Sequence, residues 1–187
     1  MPTPARKSSF DLDVTLIHTA QGGDIDAFQN IVRATQQQVL AIAKGIVGDF
    51  DAAQDVGQEI YLRLYRNLDS FKTGKSFSSW FYKIIVNAAY DHLKREKKFV
   101  SEQFDDDTLQ QLAVQPNEMN DTAVSQLLTY LPTAQKACFI LREFEERSCE
   151  EIADILGIRV GTVRSHLCLA RRTLQKVIRW YYPEYLQ

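Results

Sequence analysis

The prolines of this chain stand at positions 2, 4, 116, 132 and 183, so the whole stretch from Pro4 to Pro116 contains no helix breaker. Proline removes a backbone donor and clashes with the preceding turn, so a long stretch without it permits long helices. The apolar spacing indicates that they form. Phe28, Ile31, Val32, Val39, Ile42, Ala43 and Ile46 recur at steps of three and four, and so do Ala53, Val56, Ile60, Leu64 and Leu68. A third helix is expected from about Ser78 to Lys97, with Asp24, Asp51 and Ser78 as candidate N-caps. The expectation is an all-α N-terminal domain over residues 10–98.

The character then changes. Residues 99–126 carry six acids (Glu102, Asp105, Asp106, Asp107, Glu118, Asp121) and neither Lys nor Arg. Periodicity lapses, and Pro116-Asn117 interrupts the stretch. A flexible acidic linker over 99–123, with one helical turn near Leu109, fits this composition. Helical patterning resumes at Val124 and runs to Arg179. The fold class expected is all-α: two small helical domains joined by the linker, followed by an aromatic tail over 180–187.

The C-terminal domain carries the most specific local signal. In "RSCEEIADILGIRVGTVRSHLCLARRTL", Ser148 and Glu151 have capping-box spacing. Ile152, Ala153, Ile155 and Leu156 give the short helix a buried side, and Gly157 suits its left-handed stop. A second helix starts near Val160, with Val163, Leu167 and Ala170 inward. This is a helix-turn-helix layout. Arg159, Thr162, Arg164, Ser165, His166 and Arg171 are left to face outward. From Arg159 to Arg179 there are six basic residues and no acid, whereas Glu143 to Asp154 holds six acids against Arg147. The basic charge thus sits on one helix, as a helix entering the major groove requires. A solvated amphipathic hairpin would show the same pattern.

Two further stripes carry chemistry. Asp55, Gln58, Glu59, Leu62 and Arg66 share one face of the second helix, opposite Val56, Ile60 and Leu64. That face suits docking on a helix with basic and apolar groups, and an ordinary solvated face looks alike. In "FSSWFYKIIVN", Phe77, Phe81, Ile84, Ile85 and Ala88 form the core side. Tyr82 and Val86 lie on another side, toward a neighbouring helix. Trp80, Lys83, Asn87, Tyr90 and Lys94 make a separate stripe of ring, cation and amide. Unpaired DNA wants these groups: rings stack, lysines neutralise phosphates, and an amide bonds a base edge. A Trp packed under a loop is the competing reading.

Taken together, four stretches resemble the extracytoplasmic-function (ECF) sigma factors, the small promoter-specificity subunits of bacterial RNA polymerase. They are "DAFQNIVRATQQQV", "DAAQDVGQEIYLRLYRNLDSF", "FSSWFYKIIVNAAYDHLKR" and "LPTAQKACFILREFEERSCEEIADILGIRVGTVRSHLCLARRTL". The resemblance implies a region 2 bundle and a region 4 helix-turn-helix. It implies docking of Asp55, Gln58, Glu59, Leu62 and Arg66 on the β′ clamp of the polymerase core, with the β flap as a further contact. It implies a pocket for a rotated −10 base at Phe71 and Asn87, with Lys72, Lys75, Trp80, Lys83, Tyr90 and Lys94 around it. Arg159, Thr162, Arg164, Ser165, His166 and Arg171 would read the −35 duplex. The linker would thread the active-site cleft and RNA exit channel, or serve as a solubilising tether. An anti-sigma factor is the expected regulator. The tail, with Trp180, Tyr181, Tyr182 and Tyr185, would pack on the helix-turn-helix or meet such a partner. Departures from the family pattern are Gly57, where a larger apolar residue is usual, and His166 and Leu169, where Arg is frequent.

Competing functions are few. A helix-turn-helix regulator with a helical sensor domain shares the DNA-binding half but needs neither stripe. Enzymatic motifs such as a P-loop, GxGxxG or HExxH are missing, His18, His92 and His166 are scattered, and no cofactor is expected. Cys138, Cys149 and Cys168 are irregularly spaced and read as free thiols; His166-x-Cys168 alone is no metal-ligand set. No apolar run approaches the length of a membrane span, and the N-terminus lacks a signal-peptide core, so a cytoplasmic protein without direct membrane insertion is expected.

Overall fold

In the N-terminal half each helix starts where an acid or hydroxyl supplies the missing acceptor for its first N–H groups. The structure, a computed structural model, describes residues 10, 12–72, 76–103 and 123–181, the side chains of 99–103 and 181 excepted. Helix α1 (Val14–Gln21) opens at Asp13, which accepts from Thr15 N at 3.0 Å. This short helix has no counterpart in the sequence reading, its eight residues being too few for a periodic signal. Helix α2 (Ile25–Val47) opens at Asp24 as expected, the carboxylate accepting from Ala27 N at 2.9 Å. Helix α3 (Phe50–Asn67) is capped by Asp49 rather than Asp51. Asp49 keeps extended dihedrals and accepts from Ala52 N at 2.8 Å, while Asp51 lies in the first turn beside the positive end of the dipole. A 3₁₀ turn (Leu68–Ser70) follows. Helix α4 (Phe77–Gln103) begins one residue before Ser78, and the capping hydroxyl is that of Ser76, which accepts from Ser79 N at 3.3 Å.

The C-terminal half holds α5 (Ala123–Thr129), α6 (Thr133–Glu143), α7 (Cys149–Leu156) and α8 (Val160–Tyr181). The capping box forms in both directions: Glu151 N donates to Ser148 Oγ at 3.1 Å, and Ser148 N donates to Glu151 Oε2 at 2.8 Å. Gly157 ends α7 in the left-handed region at φ 67°. Helices α7 and α8 are therefore the two arms of the helix-turn-helix, with Val163, Leu167, Ala170 and Leu174 buried. The structure is helical throughout, with no strand among the described residues. The proposed turn near Leu109 and most of the linker lie outside them.

One buried cluster runs from Phe10 to Leu174, so the two halves share a core. Helix α2 packs on α1, α3, α4 and also α6, while α4 packs on α7. Gly45 makes the α2–α6 approach possible: a Cβ there would stand 2.8 Å from Ile140 Cδ1. Lys136, only 9% exposed, donates from Nζ to the carbonyl of Ile46 at 3.4 Å. It thus serves the open C-terminal carbonyls of α2, where the dipole favours a cation. Tyr82, fully buried, is the residue whose face the sequence assigned to an unnamed neighbour. Its hydroxyl donates to Glu145 Oε2 at 2.6 Å, Gln38 Nε2 donates to the same oxygen, and the Arg147 guanidinium lies 5.6 Å from its ring centroid. Phe10 covers the near side, at 4.9 Å from Phe81 and 4.8 Å from Tyr82.

Candidate nucleic-acid interface

The stripe on α4 meets the C-terminal part of α3 and the 3₁₀ turn in a cavity of about 270 Å³. Trp80, Lys83, Ile84 and Asn87 line it from α4, Arg63 and Asn67 from α3, and Ser70 from the turn. Behind it stands an aromatic cluster. Phe71, 9% exposed, lies 5.3 Å from the Trp80 ring and edge-on to Phe77 at 5.4 Å. Trp80 is half-buried: part of the ring packs on Phe71 and Phe77, and part lines the cavity. The turn is pinned by Gln21, whose Nε2 donates to the carbonyls of Leu68 and Phe71, each at 2.9 Å. Ser70 Oγ donates to Asn67 O at 2.6 Å, and Asn67 Nδ2 donates to Arg63 O at 2.8 Å.

The structure adjusts the expected −10 set. Lys83 and Asn87 are exposed and line the cavity with Trp80; Lys72 and Lys94 are exposed outside its lining. Phe71 supports Trp80 from beneath rather than lining the cavity. Ile84, assigned to the core by its spacing, is half-buried and contributes to the wall. Tyr90 leaves the stripe: it packs on the core close to Cys138 of α6, and burial pushes its phenol up to about 12. Its position at the edge of the stripe lets the second half of the molecule claim it. Lys75 lies outside the described residues.

Arg63 escaped the sequence reading, whereas Asn67 and Ser70 lie in the loop that the resemblance assigns to the pocket. All three continue the row that starts at Glu59, one helical turn apiece, so the i,i+4 series was the available signal. Arg63 is held from both sides: Nε donates to Glu59 Oε1 and one terminal nitrogen to Asp91 Oδ2, each at 2.7 Å. The Arg63 hydrogen bond is the chief reason the Glu59 carboxyl lies below its ordinary range.

The docking stripe on α3 is open. Asp55, Gln58 and Arg66 are exposed, Glu59 is half-exposed, and Leu62 keeps 50% of its surface in solvent. On α8, Thr162, Arg164, Ser165 and Arg171 are exposed as expected, and Arg159 is exposed in the turn before it. Two of these arginines have acidic partners: Arg164 with Glu150 at 3.4 Å and Arg171 with Glu143 at 2.7 Å. Ser165 Oγ donates back to Gly161 O at 3.0 Å. His166 is half-buried rather than fully outward, and its Nδ1 is shielded from solvent without a hydrogen-bond partner. Leu169 is exposed. Trp180 is 81% exposed and does not pack on the helix-turn-helix; residues 182–187 lie outside the described part.

A helix-turn-helix sharing a core with a bundle that bears an aromatic, cationic cavity defines a helical nucleic-acid-binding protein. Comparison with known proteins narrows the class. Residues 31–99 match the family described as Sigma-70 region 2, and residues 121–174 the one described as Sigma-70, region 4. The chain is 30% identical over 178 residues to the ECF RNA polymerase sigma factor SigW of Bacillus subtilis, covering 87% of this chain and 95% of that one. It is 31% identical over 180 residues to the RNA polymerase sigma-H factor of Pseudomonas aeruginosa, covering 89% and 93%. Two solved structures share the fold. CnrH in complex with the cytosolic domain of CnrY has a TM-score of 0.66 at 21% identity, covering 89% of this chain and 97% of that one. The sigma factor RpoE with the anti-sigma factor NepR from Bartonella quintana has a TM-score of 0.67 at 22% identity, covering 83% and 98%. The chain belongs to the ECF sigma factors of the sigma-70 family, and its function is that of an RNA polymerase sigma factor. No helix among the described residues is long and apolar enough to cross a membrane.

Proposed function

We propose that this sigma factor divides its work between the α3 stripe, the α3–α4 cavity and the N-terminal part of α8. Asp55, Gln58, Glu59, Leu62 and Arg66 dock on the β′ clamp of core polymerase. Residues 10–98 act as the region 2 unit, 99–123 as the linker, 124–179 as the region 4 unit that also faces the β flap, and 180–187 as a tail. Trp80, Lys83 and Asn87 capture an unstacked −10 base, backed by Phe71 and approached over Lys72, Lys75 and Lys94. Arg159, Thr162, Arg164, Ser165 and Arg171 engage the −35 duplex, with His166 at the margin. The chain works in the cytoplasm and leaves the chemistry to the polymerase.

The observation that carries this reading is the convergence of a half-buried indole, an ammonium group and an amide on one cavity beside a basic helix end. Extruding a base costs a few kcal/mol, and stacking on Trp80 plus hydrogen bonds from Asn87 offset that cost. Permanganate footprinting of the open complex is the test. Trp80→Ala is expected to keep helicity and core binding and to lose thymine reactivity in the −10 region; unchanged reactivity would sink the assignment. An anti-sigma factor fits as regulator, since CnrH and RpoE were both solved with protein partners, NepR being named an anti-sigma factor.

A further inference from the structure

Arg63 stands where two surfaces meet. It lines the cavity with Trp80, Lys83 and Asn87, yet its guanidinium is tied to Glu59, a member of the exposed α3 stripe. Asp91, one turn beyond Asn87 on α4, holds the other side of the fork. A guanidinium is planar and rich in donors, and the geometry that fits a carboxylate also fits a phosphate. Two carboxylates occupy this one guanidinium beside a cavity otherwise suited to a nucleotide. Such an arrangement keeps a phosphate out as long as both acids stay in place.

Glu59 is the acid that can be withdrawn. It is part of the surface assigned to polymerase docking, and a basic partner group would compete with Arg63 for the same carboxylate. Asp91 would then hold Arg63 alone, leaving part of the fork for a new anion. We propose that Arg63 binds a backbone phosphate of the captured −10 strand, and that Glu59 withholds it until α3 docks on the polymerase. The inference rests on the reading of the α3 stripe and the α3–α4 cavity given above. It couples two sites through one side chain, and coupling of this kind is reciprocal: strand capture strengthens docking as docking strengthens capture.

The rival explanation is that Glu59, Arg63 and Asp91 merely staple α3 to α4. The two explanations predict opposite signs for one variant. In Arg63→Gln, Glu59 is released to the polymerase, so affinity for core is expected to hold or rise about threefold. Holoenzyme carrying Arg63→Gln should bind fork-junction DNA with a single-stranded −10 segment about tenfold to a hundredfold more weakly. The loss should be uniform across −10 sequences, and the slope of log affinity against log salt should fall by about 1. Arg63→Lys, which keeps the charge but not the planar fork, serves if the glutamine variant folds poorly: it should keep core affinity and the wild-type salt slope while weakening fork binding severalfold. A staple would instead lower thermal stability and core affinity together and leave the salt slope alone; that outcome overturns the proposal, as does fork binding equal to wild type. Leu62→Ala and Trp80→Ala are measured in parallel. If they retain full core and fork binding, the sites themselves are misplaced and both readings fall; if they lose binding while Arg63→Gln does not, only the coupling falls.

Discussion

Burial raises the pKa of Cys138 on α6 and of Tyr90 on α4, and the charge of Cys138 adds to the shift at Tyr90. The Cys138 thiol moves from an ordinary 9.0 to about 11 and the Tyr90 phenol from 10.0 to about 12. The unfolded chain therefore releases both protons at a lower pH than the folded chain does. Their contribution to stability is whole below about pH 9 and is lost as the pH climbs toward 12. Lys136 works in the opposite sense, because burial lowers its pKa and the cost of its charge shrinks as the pH rises. Burial raises the Tyr61 phenol as well, so three groups against one predict a net fall. Urea titrations should show wild-type stability declining between about pH 9 and 12. The Cys138→Ala, Tyr90→Phe double variant should be less stable at pH 7 but flatter across that window. A decline as steep as wild type would assign the alkaline loss to other groups. Neither shift could be read from the sequence, where Tyr90 fell on the DNA stripe by its spacing.

At the scale of the element, α3 carries an avoidable weakness. Gly57 sits inside the helix with ordinary negative φ, and a Cβ added there meets nothing within 4 Å. Gly57→Ala is expected to stabilise the chain by about 1 kcal/mol, raising Tm by roughly 2–4 °C in a calorimetric scan. Core affinity should stay within about twofold, because Asp55, Gln58 and Glu59 keep their places on an intact helix. A loss of core binding with a gain in Tm would show that the glycine leaves room for the partner. Most elements were legible in the sequence because their signals are local. The Asp24 cap, the Ser148–Glu151 box and the Gly157 stop each involve residues within four positions of one another. Helix starts at Asp49 and Ser76 were missed because neighbouring Asp51 and Ser78 carry the same chemistry, and only backbone dihedrals and the hydrogen bonds choose between them.

The whole molecule is closed: α6 lies on α2, α7 lies on α4, and Tyr82, Glu145, Gln38, Arg147 and Lys136 fill the seam. The close approach at Gly45 gives a direct way to open it. Gly45→Leu would drive a branched side chain into Ile140, and overpacking of this kind costs about 1–3 kcal/mol. Small-angle X-ray scattering is expected to show a larger radius of gyration for this variant, with helicity unchanged by circular dichroism. An unchanged radius would mean that the seam absorbs the extra volume.

The long helices, most of their apolar faces, the helix-turn-helix and the family are legible in the sequence alone, while the eight-residue α1 is not. Those properties follow from spacing along one chain segment, and neighbours within a few residues decide them. Only the packing of helices brings Arg63 to Glu59 and Asp91 at the edge of a cavity, sets Tyr90 half-buried against the core, and joins Tyr82 to Glu145. Arg63 and Asp91 are 28 positions apart and Tyr82 and Glu145 are 63 apart, so their meeting depends on how whole helices pack. Periodicity along one helix carries no information about the rotation and tilt of another, and that relative placement is what assembles the site.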